Sequence, residues 1–155
     1  MNAPRNGQSA WEAELFRLLV DNSTDYAVFV VGLDGRVLTW NPGAERVLGY
    51  RESEIVGKSS VILFTPEDQA AGIPEAELGI AIAEGRASDD RWHLRKDGSR
   101  LWVSGVMTLL REDTGWPLAC AKVMRDFTKG KLAADALHKN KNQLQITLKT
   151  TKIKT

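Results

Sequence analysis

Four side chains able to do chemistry sit inside otherwise apolar segments: His93 in Arg91-Trp92-His93-Leu94, Cys120 and Lys122 in the run Leu118 to Met124, and Asp126 just beyond it. They do not assemble into a catalytic set. His93 and His138 are the only histidines, and the serines near His93 in sequence belong to turns, so no nucleophile, base and orienter come together. A single cysteine excludes an internal disulfide and any multi-cysteine metal centre, fits a reducing compartment, and with two histidines leaves little for a metal site. There is no phosphate-cradling glycine loop and no paired-carboxylate motif. The chemistry that remains is recognition, and the chain is expected not to be an enzyme.

The elements that must position these groups begin with residues 91–107. Two runs rich in Trp, Leu and Val flank Lys96-Asp97-Gly98-Ser99, and Asp-Gly between such runs signals a tight hairpin because Gly accepts positive φ. Side chains alternate across a strand. If Trp92 covers the outer surface, His93 faces inward with Val103, Gly105 and Met107, and with Lys122 and Met124 on the last strand. An inward Lys122 needs a partner or an acidic ligand; the opposite assignment leaves Lys122 solvated and reverses the faces. Both stand on the sequence. Asp126 likewise has two readings, as a tie to backbone or a basic side chain, or as an N-cap of the next helix, a role Thr128 serves equally well.

Around this hairpin the chain reads as one domain with flanks, as 155 residues and 43% hydrophobic content allow. Residues 1–9 are expected to be disordered. Residues 10–21 form a flanking helix with Ser9 as N-cap, because Trp11, Leu15, Leu18 and Leu19 share one stripe. Residues 22–128 form the domain. Tyr26 to Val31 and Val37 to Trp40 make a first hairpin about Asp34-Gly35, and Asn41-Pro42 starts a helix that ends at Gly49. Short helical pieces follow near residues 51–57 and 59–64 and after Thr65. Pro74, Leu78, Ala81 and Ile82, with Gly85 past the end, mark the longest helix of the domain. The central hairpin and a strand over residues 118–125 complete an α+β fold: a five-stranded antiparallel sheet with helices on one face.

Residues 129–155 form a C-terminal linker, signalling helix and tail. Seven Lys against one Asp give this stretch +6 and leave residues 1–128 at −5; Lys interspersed with Asn, Gln and Thr reads as a solvated face and not as a nucleic-acid site. Leu137, Leu144 and Leu148 make an incomplete heptad stripe interrupted by Lys141. No apolar run approaches the roughly 18–20 residues that span a bilayer, and the start lacks the basic and apolar regions of an export signal. No membrane segment and a cytoplasmic location are therefore expected.

Six fragments in order resemble a PAS sensory domain over about residues 16–131. They are Asp34-Gly35 with Trp40-Asn41, Ala44-Glu45 with Gly49-Tyr50, Glu54-Ile55-Val56-Gly57, Thr65-Pro66-Glu67-Asp68, Arg95-Lys96-Asp97-Gly98-Ser99, and Arg125-Asp126-Phe127-Thr128. The details resemble the subclass found in bacterial multidomain sensors, ahead of a histidine kinase or similar output domain. The resemblance implies a non-catalytic sensor of a two-component system that binds a small ligand or partner and relays the signal through its terminal helices and a homodimer. The alternative is a constitutive dimerisation module with no ligand.

The implied pocket comprises Val30, Asn41, Ser60, Ile62, His93, Val103, Met107 and Met124, the signal exit is Asp126 and Thr128, and the dimer interface is Trp11, Leu15, Leu18 and Leu19. The cofactor is unknown. In flavin-binding relatives a cysteine occupies the position matching Ser60, and an alcohol cannot replace a thiolate there. His93 and Met124 stand where those relatives carry flavin-contacting amides. Heme-binding relatives supply a histidine from the helix between Pro66 and Gly85, and this chain has none there.

Overall fold

Asn41 explains how the chain leaves its first strand and enters the helical layer. Its Oδ1 accepts from the backbone N–H of Val28 at 2.9 Å and of Ala44 at 2.8 Å, while Nδ2 donates to the carbonyls of Val20, Ser23 and Tyr26 at 3.1–3.2 Å. One buried amide thus caps a helix, replaces a strand partner and ties down the N-terminal segment. A computed structural model describes the backbone of residues 6–154 and the side chains of residues 10–151.

The order of elements is α1 (Asn6–Asn22), β1 (Tyr26–Gly32), α2 (Pro42–Leu48), α3 (Glu52–Ile55), a 3-10 turn (Ser60–Leu63), α4 (Pro66–Ala70), α5 (Ile73–Glu84), β2 (Arg86–Ser88), β3 (Arg91–Leu94), β4 (Arg100–Arg111), β5 (Pro117–Asp126) and α6 (Thr128–Lys154). The sheet is five-stranded and antiparallel, in the order β1-β5-β4-β2, with β3 also paired to β4. The expected α+β architecture is present. Gly98 takes φ of +85° in the turn from β3 to β4, and Gly49 and Gly85 end α2 and α5 in the left-handed region.

The membership of the sheet differs from expectation at two places. Residues 37–40 do run back beside β1, but they form only an isolated bridge from Val37 to Val31. The reason is local: the N–H groups of Val28 and Val30 donate to the side chains of Asn41 and Thr39, so side chains occupy where a backbone ladder would have formed. Conversely, β2 and β3 lie in line along β4 as one strand interrupted at Asp89-Asp90, where Asp89 N–H donates to Gly105 O at 2.9 Å.

The N-terminal helix also begins earlier than expected, at Asn6, so residues 6–9 are helical. Gly costs a helix only about 1 kcal/mol and Asn, Gln and Ser less, while extending an existing helix avoids the nucleation penalty. The disorder expected for residues 1–5 lies outside the described residues.

The core sits between the inner face of the sheet and α2, α3, the 3-10 turn and α5. On the sheet side, Phe29, Lys122, Met107 and Ala87 form one cross-strand row, with Ala27, Met124 and Gly105 on one side and Val31, Cys120 and Leu109 on the other. Leu48, Ile55, Leu63, Phe64 and Ala81 come down from the helices to meet it. The outer face carries half-buried Val28, Val30, Trp92, Trp102, Val106 and Val123, and Trp92 packs edge-on against Trp102 with ring centroids 5.5 Å apart.

Candidate functional site

Lys122 occupies the centre of the inner sheet face, between Phe29 on β1 and Met107 on β4, and is only 2% exposed. An ammonium there requires anions, and two arrive from different elements. Glu77 on α5 pairs with it directly, and Asp89 Oδ2, at the break between β2 and β3, lies 2.9 Å from Nζ. The Phe64 ring lies 5.2 Å from the same nitrogen. The inward assignment of Lys122 is the correct one, and its partners are internal carboxylates.

Asp89 is the hub. Besides Lys122 it receives the Nε of Arg91 at 2.8 Å and His93 Nε2 at 2.9 Å. The other ring nitrogen of His93 lies 2.9 Å from Leu63 O, so both ring nitrogens are engaged within the fold. Burial pushes the Asp89 carboxyl up, but the hydrogen bond from His93 and the charge of Lys122 outweigh it and hold the group far below the ordinary carboxylate range. Glu77 behaves oppositely. Burial raises it to about 7, against the pull of Lys122, and its Oε2 has no hydrogen-bond partner among the described residues, with Arg91 Nε 3.4 Å away.

That difference predicts a pH dependence. The folded Glu77 carboxyl holds its proton to about 7 whereas its ordinary value is 4.5. The stability this provides is complete below pH 4.5 and is lost as pH rises through 7; the contribution from Asp89 is lost only at much lower pH. Thermal unfolding of the wild type and Glu77→Gln at pH 5 and pH 8 should therefore show the wild type losing on the order of 1–3 kcal/mol relative to the variant between the two. A difference that is flat with pH, or of opposite slope, would exclude this titration.

Beside the cluster lies a cavity of about 180 Å³. Its walls are Phe29, Val31, Leu63, Phe64, Met107 and Met124, Lys122 forms its charged wall, and exposed Asp34, Ser59 and Glu75 form its solvent side. Of the residues expected in a pocket, Ser60, Met107 and Met124 line this cavity. Val103 and His93 are fully buried on the same inner face without lining it, His93 behind Phe64 with ring centroids 4.7 Å apart. Three others are elsewhere. Val30 points to the outer face because Ala27, Phe29 and Val31 take the inward positions of a strand that is apolar on both sides. Ile62 is exposed because the 3-10 turn directs Leu63 inward, and the Asn41 amide is consumed by backbone.

Cys120 is buried on the inner face, where burial raises its thiol above the ordinary value. At the exit, Asp126 does both things its position suggested: Oδ2 accepts from Arg95 Nη2 at 2.9 Å, and Oδ1 accepts from the N–H of Thr128 at 3.0 Å at the start of α6. Thr128 Oγ1 in turn accepts from Trp102 N–H at 3.0 Å, and Arg95 also donates to Val47 O at 3.2 Å. Trp11, Leu15, Leu18 and Leu19 are exposed along α1.

Residues 25–129 match the PAS domain family. The chain belongs to it. PAS domains are in general non-catalytic sensory modules. The chain is 39% identical over 128 residues to two-component system protein A of Emericella nidulans, covering 83% of this chain and 19% of that protein. It is 26% identical over 120 residues to the sensor histidine kinase TmoS of Ectopseudomonas mendocina, covering 76% of this chain and 12% of that one. It thus spans a fifth or less of each of these two relatives. Among solved structures, the PAS domain of a protein from Colwellia psychrerythraea superposes with a TM-score of 0.70 at 22% identity, over 76% of this chain and 98% of that one. No helix among the described residues is long and apolar enough to cross a membrane.

Glu77 and Asp89 are the site residues that the sequence does not single out. A signal for Glu77 existed: it stands three residues after Pro74 and four before Ala81, on the stripe of α5 that faces the sheet.

Proposed function

We propose that this PAS domain is the input module of a two-component signalling protein, that it binds a small ligand in the cavity beside Lys122, and that it relays occupancy through α6 and a homodimer. The observation that carries the reading is the cavity itself, enclosed by adaptable apolar walls, Met107 and Met124 among them, with a charged group at one side. The route outward is short. Lys122 and Asp126 share β5, and Asp126 joins Arg95 to the first residue of α6. In this reading the ligand-contacting charge is Lys122, because the nitrogens of His93 are already taken by Asp89 and Leu63.

The dimer is assigned to α1 and the outer sheet face. Trp11 and Leu19 are 63% and 70% exposed, and apolar surface of this extent at the end of a domain favours a partner. Light scattering at micromolar concentration should give a dimer for the wild type and a monomer for Leu15→Asp. A wild-type monomer overturns the assignment.

Native mass spectrometry and an absorbance spectrum of the purified chain, followed by melting in the presence of small polar and apolar compounds, test ligand binding. Retained mass, or a saturable shift in melting temperature, is the expected result. A protein with no bound mass and no response to any compound would instead be a constitutive dimerisation module.

A further inference from the structure

The two carboxyl groups around Lys122 are not equally well held. Among the described residues, the acidic groups that meet His93, Lys122 and Arg91 are Glu77 and Asp89, and His93 and Lys122 are both within 2% of complete burial. Three basic side chains thus converge on two buried carboxyl groups. The second of these carboxylates is poorly held: Glu77 is 3% exposed and its Oε2 is left without a hydrogen bond. A buried acceptor without a donor is a destabilised arrangement, and one that a better-placed anion can replace. Lys122 lines the cavity, whereas Glu77, Asp89 and His93 do not, so Lys122 is the one member of the cluster that borders the space a bound molecule would occupy.

We infer that the cavity recognises a small monocarboxylic acid, whose carboxylate binds Lys122 Nζ in place of Glu77 and whose short apolar tail lies against Phe29, Leu63, Phe64, Met107 and Met124. This rests on the ligand-binding reading of the cavity and names the class of ligand. The walls select the tail. Their apolar character gives a hydrophilic acid nothing to contact, and about 180 Å³ limits the ligand to a few carbons. Asp34 and Glu75 on the solvent side repel a second negative charge, so a dicarboxylate is excluded where a monocarboxylate is admitted. Displacement of Glu77 also gives the ligand a mechanical effect. Glu77 belongs to α5 and Lys122 to β5, so exchanging the carboxylate removes a direct tie between the helix over the cavity and the strand that ends at Asp126.

The test uses sodium butyrate, with n-butanol as the neutral counterpart of similar size, sodium succinate as the dianion, and sodium chloride at matched ionic strength. Binding is read by isothermal calorimetry and by the melting temperature. The wild type should bind butyrate saturably and respond to butanol and succinate at least tenfold more weakly. Glu77→Gln, which removes the competing carboxylate, should bind butyrate about tenfold more tightly. Lys122→Met should lose butyrate binding; because it strands buried acids, the double variant Lys122→Met/Glu77→Gln serves as the folded control and should lose it too.

Equal binding of butyrate and butanol, or butyrate binding that survives in the double variant, would overturn carboxylate recognition by Lys122 while leaving a ligand cavity in place. No response of the wild type to either compound would overturn carboxylate recognition, and together with an absence of co-purified mass it would overturn the ligand reading as well.

Discussion

Asp89→Asn should destabilise the domain by about 3–5 kcal/mol in urea denaturation, the range expected when one partner of a buried ion cluster is removed and the others stay behind. Asp89 is fully buried and is approached by three basic side chains from β3 and β5. The amide that replaces it has one oxygen and no charge. Lys122 is then left to Glu77, whose carboxyl burial already pushes up to about 7, and His93 Nε2 faces a neutral group in a site from which water is excluded. Desolvation that Asp89 offset in three directions becomes a net cost. Asp90→Asn is the matched control, because Asp90 is exposed and accepts only the Gly105 N–H at 3.2 Å; it should cost less than about 1 kcal/mol. If the two variants lose equal stability, the cluster is not organised around Asp89.

Why this hub was illegible while most of the frame was readable follows from the range of the signals. Asn41-Pro42 with Gly49, Thr65-Pro66, Pro74 with Gly85, and Asp97-Gly98 act within a few residues, and each punctuates the chain where its local chemistry requires: caps at α2, α4 and α5, and the turn from β3 to β4. The cluster depends on distance in sequence. Glu77 and Lys122 are 45 residues apart, and no local pattern announces that an acid in α5 and a lysine in an apolar strand will meet. Alternation gave the inner face of β5 only up to a choice of side. For β1 even that failed, because Tyr26 to Val31 is apolar at both parities, and Val30 was placed inward when Phe29 and Val31 are.

Asp89 is the least visible for a further reason. It lies in a break between two strands that pair with the same neighbour, a place that reads as a polar loop. The fold turns it inward because its backbone N–H bonds to Gly105 O, across from the one residue of β4 with no side chain. A Cβ on Gly105 would lie 2.9 Å from Val123 O and 3.4 Å from Asp89 O, so close strand approach and the placement of the hub are the same feature.

Gly43→Ala should cost about 3 kcal/mol or more, because the added methyl has nowhere to go. An ideal Cβ there lies 1.9 Å from Tyr26 O, 2.7 Å from Tyr26 C and 2.8 Å from Ser23 O, all of them backbone. Overpacking a site whose neighbours can shift costs about 1–3 kcal/mol, and this neighbour cannot shift freely, since Asn41 Nδ2 holds the same Tyr26 and Ser23 carbonyls. Gly130→Ala makes the distinction clear. Its Cβ would come within 2.4 Å of the Phe127 ring, but that ring is 44% exposed and free to rotate away, and Ala favours the helix by up to about 1 kcal/mol; it should be neutral or slightly stabilising. The consequence at Gly43 reaches beyond stability. The segment it presses on joins α1 to β1, so forcing it outward breaks the Asn41 clamp and releases the proposed dimer helix from the domain. Hydrogen exchange at the Val28 and Ala44 amides, both held by Asn41 Oδ1, should accelerate in Gly43→Ala and stay unchanged in Gly130→Ala. Equal exchange and equal stability in the two variants would mean that this close approach does not hold the junction together.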